Sequence, residues 1–534
     1  MKLSLVLATI AFSWFLASSA GVRAQEPAAN AQPTQTAAAK PGEAKPVEST
    51  ANATETAPKE QSSVTQHSAR IAGQNISYTA TASTTLLKND KGEPEALMYS
   101  TAYTENGVKD LSRRPIAFLY NGGPGSSSVW LHMGAYGPRR VATGDASPTP
   151  PAPYQLVDNE YSLLNQADLV FIDPVGTGFS HAAGKAKDSD FWGVQPDVQS
   201  LAQFISIYLS RNHRWNSPKL LIGESYGTFR SVALCHYLQD HEGIYINGVV
   251  LMSSVLDLGT LNFTMGDDRS FILYLPTYAA IAWHYDLLKN RPADLPSFLE
   301  QVRQFASSEY ADALLKGGNI SDSEKQQVAA KVSAFTGLDE NYVFKSDLRV
   351  NIAQFRAELL RSRRLTIGRY DARYNAATYD VLEEYAFDDP SYNAVLGAFT
   401  AAFNSYVRDD LKFGEGMTYK VLPEEPSEHW NWKGSTGNPD NGFPSAPNVE
   451  DDLVHELLGN AYLQVQVENG YFDLATPFYA TEFTMNHLLL PKSAGDRIHL
   501  QYYEAGHMMY LHVPDLEKLS TNVRAFISQV SQPR

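Results

Sequence analysis

The residues Gly223-Glu224-Ser225-Tyr226-Gly227 form a pattern that can carry nucleophilic chemistry. They follow a short apolar run at 219–222 and match the G-x-S-x-G nucleophile elbow. A sharp strand-to-helix turn strains the central residue, and only glycine tolerates the close backbone approach on either side. The helix that begins there points its N-terminus at the serine hydroxyl. The pattern predicts Ser225 as a nucleophile; a tight turn with an incidental serine is the alternative.

A serine hydroxyl is a weak nucleophile and needs an adjacent base, which in turn needs a carboxylate to orient it. Two late apolar runs, at 461–467 and 498–503, are predicted as strands. Asp473 follows the first of them, and His507 lies in a glycine-containing loop after the second. The order serine, aspartate, histidine along the chain is that of the α/β-hydrolase fold. The sequence therefore predicts a catalytic triad of Ser225, Asp473 and His507.

Four earlier apolar runs, at 116–120, 169–172, 219–222 and 246–252, alternate with helical patterns. Glycine-rich segments follow several of these runs. This alternation predicts an α/β fold with a mostly parallel central sheet covered by helices on both faces. Ligand chemistry in such sheets gathers beyond the carboxyl ends of the strands. Residues 71–103 instead alternate apolar and polar side chains, which predicts an antiparallel edge at the N-terminal side of the sheet.

The chain is predicted to divide into two core parts around an insertion. The first part of the hydrolase core is 67–257, and the second is 450–534. Between them, 258–449 is dominated by helical patterns and is predicted as a helical cap over the site. An independent second domain is the alternative.

The N-terminus has the pattern of an export signal. Residues 1–24 combine Lys2, an apolar run and a cleavage site of the A-x-A type, so a signal peptide is predicted, with an uncleaved anchor as the alternative. Residues 25–66 are rich in Ala, Pro and Thr and are predicted to be a disordered linker. No later stretch is apolar enough to span a membrane. The sequence predicts an exported protein, periplasmic or secreted.

Composition narrows the range of partners and cofactors. The formal net charge is −16 and the pI is about 5.3, which argues against nucleic acid or an anionic membrane as a partner. The single cysteine, Cys235, excludes an intrachain disulfide and is expected to be a buried apolar residue. No metal site is predicted, because His455-Glu456 is not followed by the second histidine of a metalloprotease helix. A phosphate loop at 122–125 is rejected because the Lys-Ser/Thr pair is missing. No cofactor is expected.

From about residue 115 onward, except in the cap, the chain resembles the serine carboxypeptidases of the α/β-hydrolase fold, as a bacterial-type exported member. The resemblance is carried by four motifs: Asn121-Gly122-Gly123-Pro124-Gly125-Ser126-Ser127, Asp173-Pro174-Val175-Gly176-Thr177-Gly178-Phe179-Ser180, Gly223-Glu224-Ser225-Tyr226-Gly227 and Ala505-Gly506-His507-Met508. It implies Ser225 as nucleophile, His507 as base and acid, and Asp473 as the residue that orients it. It also implies an oxyanion hole made by the backbone N–H groups of Gly123 and Tyr226.

The resemblance further implies a group that binds the C-terminal carboxylate of a peptide substrate. This group consists of an asparagine, a tryptophan and two glutamic acids. Asn121 and Glu224 match two of them, and the neighbouring Gly122 is also predicted to bind substrate. The glutamic acid can donate to a carboxylate only when it is protonated. Leu119 and Ala135 stand where the family has a tryptophan and a second glutamic acid.

Arg139 or Arg140, just beyond this motif, is a candidate for a replacement charge, since arginine suits bidentate carboxylate binding. Solvated surface arginines are the alternative.

The sequence thus predicts a serine carboxypeptidase-like hydrolase that releases C-terminal residues from peptides. An esterase or acyltransferase of the same fold is the alternative, and a non-catalytic binding protein is a further one. The sequence leaves the oligomeric state open.

Overall fold

The computed structural model describes residues 58–386, 388–435 and 445–532. The predicted signal peptide at 1–24 and the greater part of the predicted linker lie outside these residues.

The first strand of the described chain, Ser62–Ile71, begins inside the segment assigned to the linker. Its residues alternate between exposed and half-buried positions, and all of them pair with the following strand. Such a strand needs no continuous apolar run, because it is an edge strand that packs against its neighbour and has only one face turned to the protein interior. The predicted linker boundary at residue 66 is therefore corrected.

The described residues form these strands: β1 (Ser62–Ile71), β2 (Gln74–Lys88), β3 (Pro94–Glu105), β4 (Ile116–Tyr120), β5 (Arg139–Val141), β6 (Leu156–Asp158), β7 (Asp168–Ile172), β8 (His181–Ala182), β9 (Lys219–Glu224), β10 (Gly248–Met252), β11 (Leu365–Ile367), β12 (Asn375–Ala377), β13 (Gln464–Gly470) and β14 (Ile498–Tyr503).

One ten-stranded sheet organises the molecule, in the order β1-β2-β3-β7-β4-β9-β10-β13-β14, with β8 paired to β3. The neighbouring strands β7, β4, β9, β10, β13 and β14 run parallel to one another, whereas β1, β2 and β3 form an antiparallel edge. The mostly parallel sheet with an antiparallel N-terminal edge is therefore confirmed. Because β9, β10, β13 and β14 are parallel neighbours, the loops that follow them emerge at one end of the sheet.

The described helices are α1 (Val194–Arg211), α2 (Tyr226–Glu242), α3 (Arg269–His284), α4 (Leu295–Phe305), α5 (Ala311–Lys316), α6 (Asp322–Thr336), α7 (Glu340–Lys345), α8 (Ile352–Glu358), α9 (Pro390–Asp409), α10 (Glu424–Glu428), α11 (Glu450–Gly459), α12 (Phe478–His487), α13 (Lys492–Gly495) and α14 (Val513–Val530).

Strand β4 shows why the central strands are continuously apolar. Phe118 faces a core shared with α1, α2 and α11, whereas Ala117 and Leu119 face a second core shared with α9 and α14. Successive side chains of a strand point to opposite faces, so a strand covered on both sides needs apolar residues at every position. The helices on both faces thus follow from the same runs that predicted the strands.

The region predicted as an insertion, 258–449, packs in two different ways. Helices α3 to α8 build a core of their own, joined by Tyr471, Phe472 and Phe478 from the segment after β13. Helix α9 instead joins the core of the sheet face that α14 also covers. The first group therefore lies at the carboxyl ends of the strands, whereas α9 is part of the layer on the sheet.

Candidate active site

The elbow residue Ser225 stands between the end of β9 and the start of α2, in a left-handed conformation with φ 61° and ψ −130°. A side chain at Gly223 would place its Cβ 2.1 Å from the carbonyl oxygen of Gly227, so the turn cannot close with any other residue there. Non-glycine residues adopt such a backbone only where the surroundings enforce it, and such sites often carry function. The turn predicted from the pentapeptide is formed.

Asp473 and His507 are in direct contact. Nδ1 of His507 donates to Oδ2 of Asp473 at 2.8 Å, and both side chains are buried. The backbone N–H groups of Ala475 and Thr476 donate to Oδ1 of Asp473 at 2.7 and 3.0 Å, and the Thr476 hydroxyl donates to Oδ2 at 2.7 Å. These donors keep the carboxylate in one orientation.

The contact between Asp473 and His507 settles the protonation of the imidazole. A proton held on Nδ1 leaves the lone pair of Nε2 available to accept one. Burial disfavours the charged form of His507, but the neighbouring Asp473 carboxylate outweighs burial and raises the pKa of His507. The imidazole is therefore a base prepared to take a proton on Nε2.

Ser225 reaches the same end of the sheet from two strands away. Its backbone N–H donates to the carbonyl of Met252 at 3.0 Å, and the next residue, Ser253, donates its hydroxyl to the carbonyl of His507 at 2.7 Å. Among the described residues, Oγ of Ser225 forms no hydrogen bond, to His507 or to any other residue. Hydrogen bonds of catalytic groups are often long in unliganded enzymes and tighten with substrate. The structure thus joins Asp473 to His507 and brings Ser225 to the same rim.

Two backbone N–H groups next to Ser225 are available as donors. The amides of Gly123 and Tyr226 have no acceptor among the residues that the structure describes. The loop that carries Gly123 lies directly against the elbow, because a Cβ on Gly122 would be 2.4 Å from the amide nitrogen of Tyr226. Backbone donors without a partner in a half-buried site can stabilise the oxyanion of an acyl-transfer reaction.

The glycine-rich loop after β4 is held in place by buried polar groups. Arg230, which is fully buried, donates Nη1 to the carbonyl of Asn121 at 2.6 Å and pairs with Asp197 at 2.6 Å. Asp173, from the second motif, accepts the backbone N–H of Ser128 at 2.8 Å, and burial raises its pKa to about 7. The second motif therefore supports the first loop, which explains its presence without assigning it a step in the chemistry.

Glu224 and Asn121 form a buried acid–amide pair beside Ser225. Nδ2 of Asn121 donates to Oε1 of Glu224 at 2.8 Å, while its Oδ1 accepts the backbone N–H of Leu131 at 3.0 Å. Glu224 is 3% exposed, and burial raises its pKa to about 7. Its other oxygen, Oε2, is buried and has no hydrogen-bond partner among the described residues.

The two arginines considered as a source of replacement charge do not contact the acid–amide pair. Arg139 forms a 3.1 Å ion pair with Asp158, the residue directly opposite it in the β5–β6 strand pair. Neither Arg139 nor Arg140 has a contact with Asn121 or Glu224. The cross-strand register explains this outcome, since it gives Arg139 a carboxylate partner that the local sequence motif does not reveal. The structure does not support the predicted role of these arginines.

Two tyrosines that the sequence did not single out lie at the site. The backbone N–H of His507 donates to the carbonyl of Tyr370 at 2.6 Å, and the rings of these residues are 5.2 Å apart. The hydroxyl of Tyr510 donates to Oε1 of Glu224 at 3.3 Å. Tyr370 comes from the region predicted as an insertion, far away in sequence, and no local pattern indicates it. Tyr510 is only three residues beyond His507, so a search for donors close to this histidine could have found it.

Cys235 is buried as predicted, and burial raises the pKa of its thiol. It lies near one group in the described chain whose ligand atoms are close enough to hold a metal ion, namely His236, Asp240 and Glu456. Nδ1 of His236 is 3.2 Å from Oε1 of Glu456. This group stands on α2 and α11 and includes none of the residues of the candidate active site.

The chain is similar to serine carboxypeptidases in sequence. A family model described as serine carboxypeptidase matches residues 75–258, which carry the first three glycine-rich motifs. Serine carboxypeptidase-like 45 of Arabidopsis thaliana is 27% identical over 179 residues, 32% of this chain and 36% of that protein. Serine carboxypeptidase-like 29 of the same plant is 22% identical over 441 residues, 82% of this chain and 78% of that protein. The chain spans about a third of the length of the first of these relatives.

A fungal relative and a solved structure add to this. Carboxypeptidase S1 of Penicillium janthinellum is 28% identical over 142 residues, 26% of this chain and 31% of that protein. The crystal structure of a prohormone-processing carboxypeptidase from Saccharomyces cerevisiae matches with a TM-score of 0.50 and 16% identity, covering 85% of this chain and 91% of that one. This likeness shows the fold, and the predicted α/β-hydrolase architecture is confirmed.

Proposed function

We propose that this chain is a serine carboxypeptidase-like hydrolase that releases C-terminal residues from peptides through an acyl-enzyme on Ser225. The observation that carries the proposal is the buried pair of Asn121 and Glu224 directly beside the elbow, joined at 2.8 Å. A serine hydrolase needs no such pair to attack an ester. A protonated carboxyl and an amide placed next to the nucleophile suit a substrate that presents a free carboxylate.

In the proposed acylation step, Nε2 of His507 takes the proton of the Ser225 hydroxyl as Oγ attacks the scissile carbonyl. The N–H groups of Gly123 and Tyr226 stabilise the oxyanion that forms. Asp473 stabilises the imidazolium and does not itself become protonated. As the tetrahedral intermediate collapses, His507 returns the proton to the leaving amine, which departs as the released C-terminal residue.

In the second half of the reaction a water molecule replaces the amine. His507 takes a proton from this water, which attacks the acyl-enzyme, and then returns the proton to Oγ of Ser225. Glu224 takes no proton in either half. It holds the carboxylate of the substrate, and in its protonated form it adds a hydrogen bond instead of a repelling charge.

The test compares three substrates with the same acyl group: a blocked dipeptide with a free C-terminus, its C-terminal amide, and the corresponding alkyl ester. The proposal predicts that the free peptide is cleaved and that the amide is a poor substrate. Cleavage of the ester alone would instead support the esterase of the same fold, as would equal cleavage of the free peptide and the amide. Ser225→Ala serves as the control and should be inactive on all three.

The expected location and domain division belong to the same proposal. The N-terminal pattern at 1–24 supports export to the periplasm or secretion of a bacterial-type enzyme. Within the described residues, every helix is too short or too polar to cross a membrane. We infer a core of 67–257 and 450–534 with the insertion 258–449, part of which approaches the active site through the contact of Tyr370 with His507.

A further inference from the structure

Tyr510 is a buried tyrosine in direct contact with the carboxyl group of Glu224. Its side chain is 3% exposed, and its hydroxyl donates to Oε1 of Glu224 at 3.3 Å. It lies in the short turn Met509–Leu511, between His507 and the start of α14. The segment 507–511 therefore carries the proposed triad histidine at its start and, three residues later, a donor to the neighbouring acid.

The space for Tyr510 is provided by small residues in the segment Leu131–Tyr136. A Cβ on Gly134 would be 2.5 Å from Cε2 of Tyr510, so the ring lies flush against this glycine. Ala135 follows it, and both residues are buried. Neither Ala135 nor the buried Leu119 offers a polar side-chain atom. Among the described residues, the side chains that donate to the Glu224 carboxyl are those of Asn121 and Tyr510.

The hydrogen bonds determine which oxygen of Glu224 carries the proton. Oε1 accepts from Nδ2 of Asn121 and from the hydroxyl of Tyr510. In a protonated carboxyl group, the carbonyl oxygen has both lone pairs free and can accept two hydrogen bonds. The oxygen that receives two donors is therefore the carbonyl oxygen, and the proton belongs on the other one. The proton then resides on Oε2, which is buried and has no partner among the described residues. Oε2 is the atom left to donate to a ligand.

We propose that Tyr510 is a positioning residue that fixes the proton of Glu224 on Oε2, where it serves as the donor to the carboxylate of the substrate. The inference deepens the proposed function and rests on it as far as the substrate is concerned. The link between Tyr510 and Glu224 is independent of the substrate and can be measured without any reaction. The other titratable groups that face Glu224 are His507, Asp473 and Tyr136.

The first experiment follows the carboxyl group of Glu224 by infrared difference spectroscopy as a function of pH, with the band assigned through Glu224→Gln. In Tyr510→Phe the carboxylate loses a donor that stabilises its charged form, so the pH at which the protonated band disappears should rise. Tyr310→Phe is the matched control, because it removes a buried hydroxyl that donates to the carbonyl of Leu348 at 2.7 Å. It should leave the band where it is. An unchanged midpoint in Tyr510→Phe overturns the proposal.

The second experiment separates binding from chemistry. For the blocked dipeptide with a free C-terminus, Tyr510→Phe should raise KM about fivefold, the value of one lost hydrogen bond, with little change in kcat. Hydrolysis of the matched ester, which lacks the carboxylate, should be unaffected. Equal loss on both substrates contradicts the positioning role.

A second variant guards against a folding defect in the first. Gly134→Ala pushes a methyl group against the ring of Tyr510 and should shift the Glu224 band in the same direction. If the wild-type protein fails to distinguish the free peptide from its amide, the proposed function fails. The infrared midpoint still decides whether Tyr510 governs the proton of Glu224.

Discussion

Gly122 lies against Tyr226 so closely that a Cβ atom on Gly122 would be 2.4 Å from the amide nitrogen of Tyr226. This amide and that of Gly123 are the two donors assigned to the oxyanion. The glycine therefore sets the distance between the loop after β4 and the elbow after β9.

Replacing this glycine should damage catalysis specifically. In Gly122→Ala the methyl group must displace either the loop or the Tyr226 amide, so a donor leaves the oxyanion position and kcat should fall about 10²- to 10³-fold. Steady-state kinetics on the ester substrate measure the effect. Gly495→Ala, in α13, where no atom lies within 4 Å of a new Cβ and φ is not positive, is the control at a glycine remote from the loop. A Gly122→Ala enzyme with wild-type kcat would exclude this oxyanion site.

Asp473→Asn should reduce kcat strongly without unfolding the site. The amides of Ala475 and Thr476 donate to Oδ1, so the amide oxygen of the new side chain stays there and its NH₂ group faces Nδ1 of His507. The imidazole must then carry its proton on Nε2, the nitrogen that has to accept one, and kcat should fall about 10⁴-fold.

The control for this variant is another aspartate–histidine pair. Nδ1 of His512 is 2.8 Å from Oδ2 of Asp515, the same distance as in the pair of His507 and Asp473, and has no role in the proposed reaction. Asp515→Asn should leave kcat within a few-fold of the wild-type value. Similar losses in both variants would show that the effect comes from general damage near α14.

The pH dependence of KM should reveal the protonation of Glu224. Burial raises the pKa of this group to about 7, so at lower pH it is neutral and can donate to a carboxylate, and above that pH it is an anion that repels one. KM for the free peptide should therefore rise as the pH increases through about 7, while KM for the ester should not. Glu224→Gln, which keeps an uncharged donor at every pH, should abolish this rise. A rise that persists in the Gln variant would assign it to another group.

Glu468 should make the protein more stable in mild acid than at higher pH. It is fully buried in β13, and burial raises its pKa to about 7 from an ordinary value of 4.5. Between these values the folded protein retains a proton that the unfolded chain releases. The stability that the protonated Glu468 contributes is therefore fully present below its pKa in the unfolded chain. It is lost as the pH rises to its pKa in the folded protein. The loss amounts to up to about 3 kcal/mol.

Urea unfolding at several pH values measures this contribution. In Glu468→Gln the free energy of unfolding should decline less between about pH 5 and pH 8 than in the wild type. Glu517→Gln, at an exposed position on α14, is the control and should leave the slope unchanged. Equal slopes in all three proteins would remove Glu468 as the cause.

Features that depend on a short local segment could be predicted from the sequence. The run at 116–120 coincides with β4 because both of its faces are buried, and the elbow at 223–227 was recognised because its glycines are sterically required. The sequence predicts the start of the edge strand β1 too late, because the burial of β1 depends on pairing with β2 and its residues form no apolar run.

Contacts between distant segments could not be predicted in this way. Tyr370 touches His507 from a region predicted only as a helical cap, and Arg139 is neutralised by Asp158, its partner across a strand pair. Sequence motifs indicate the residues that the chemistry requires. The residues that hold those side chains in place come from segments far apart in sequence, and only the three-dimensional structure identifies them.

The most direct test of the triad is covalent labelling with a fluorophosphonate, read by intact mass and peptide mapping. The proposed triad predicts a single adduct on the peptide that contains Ser225, no adduct in Ser225→Ala, and much slower labelling in His507→Ala, because the hydroxyl then lacks its base. An adduct on any other residue, or labelling at an unchanged rate in His507→Ala, would contradict it.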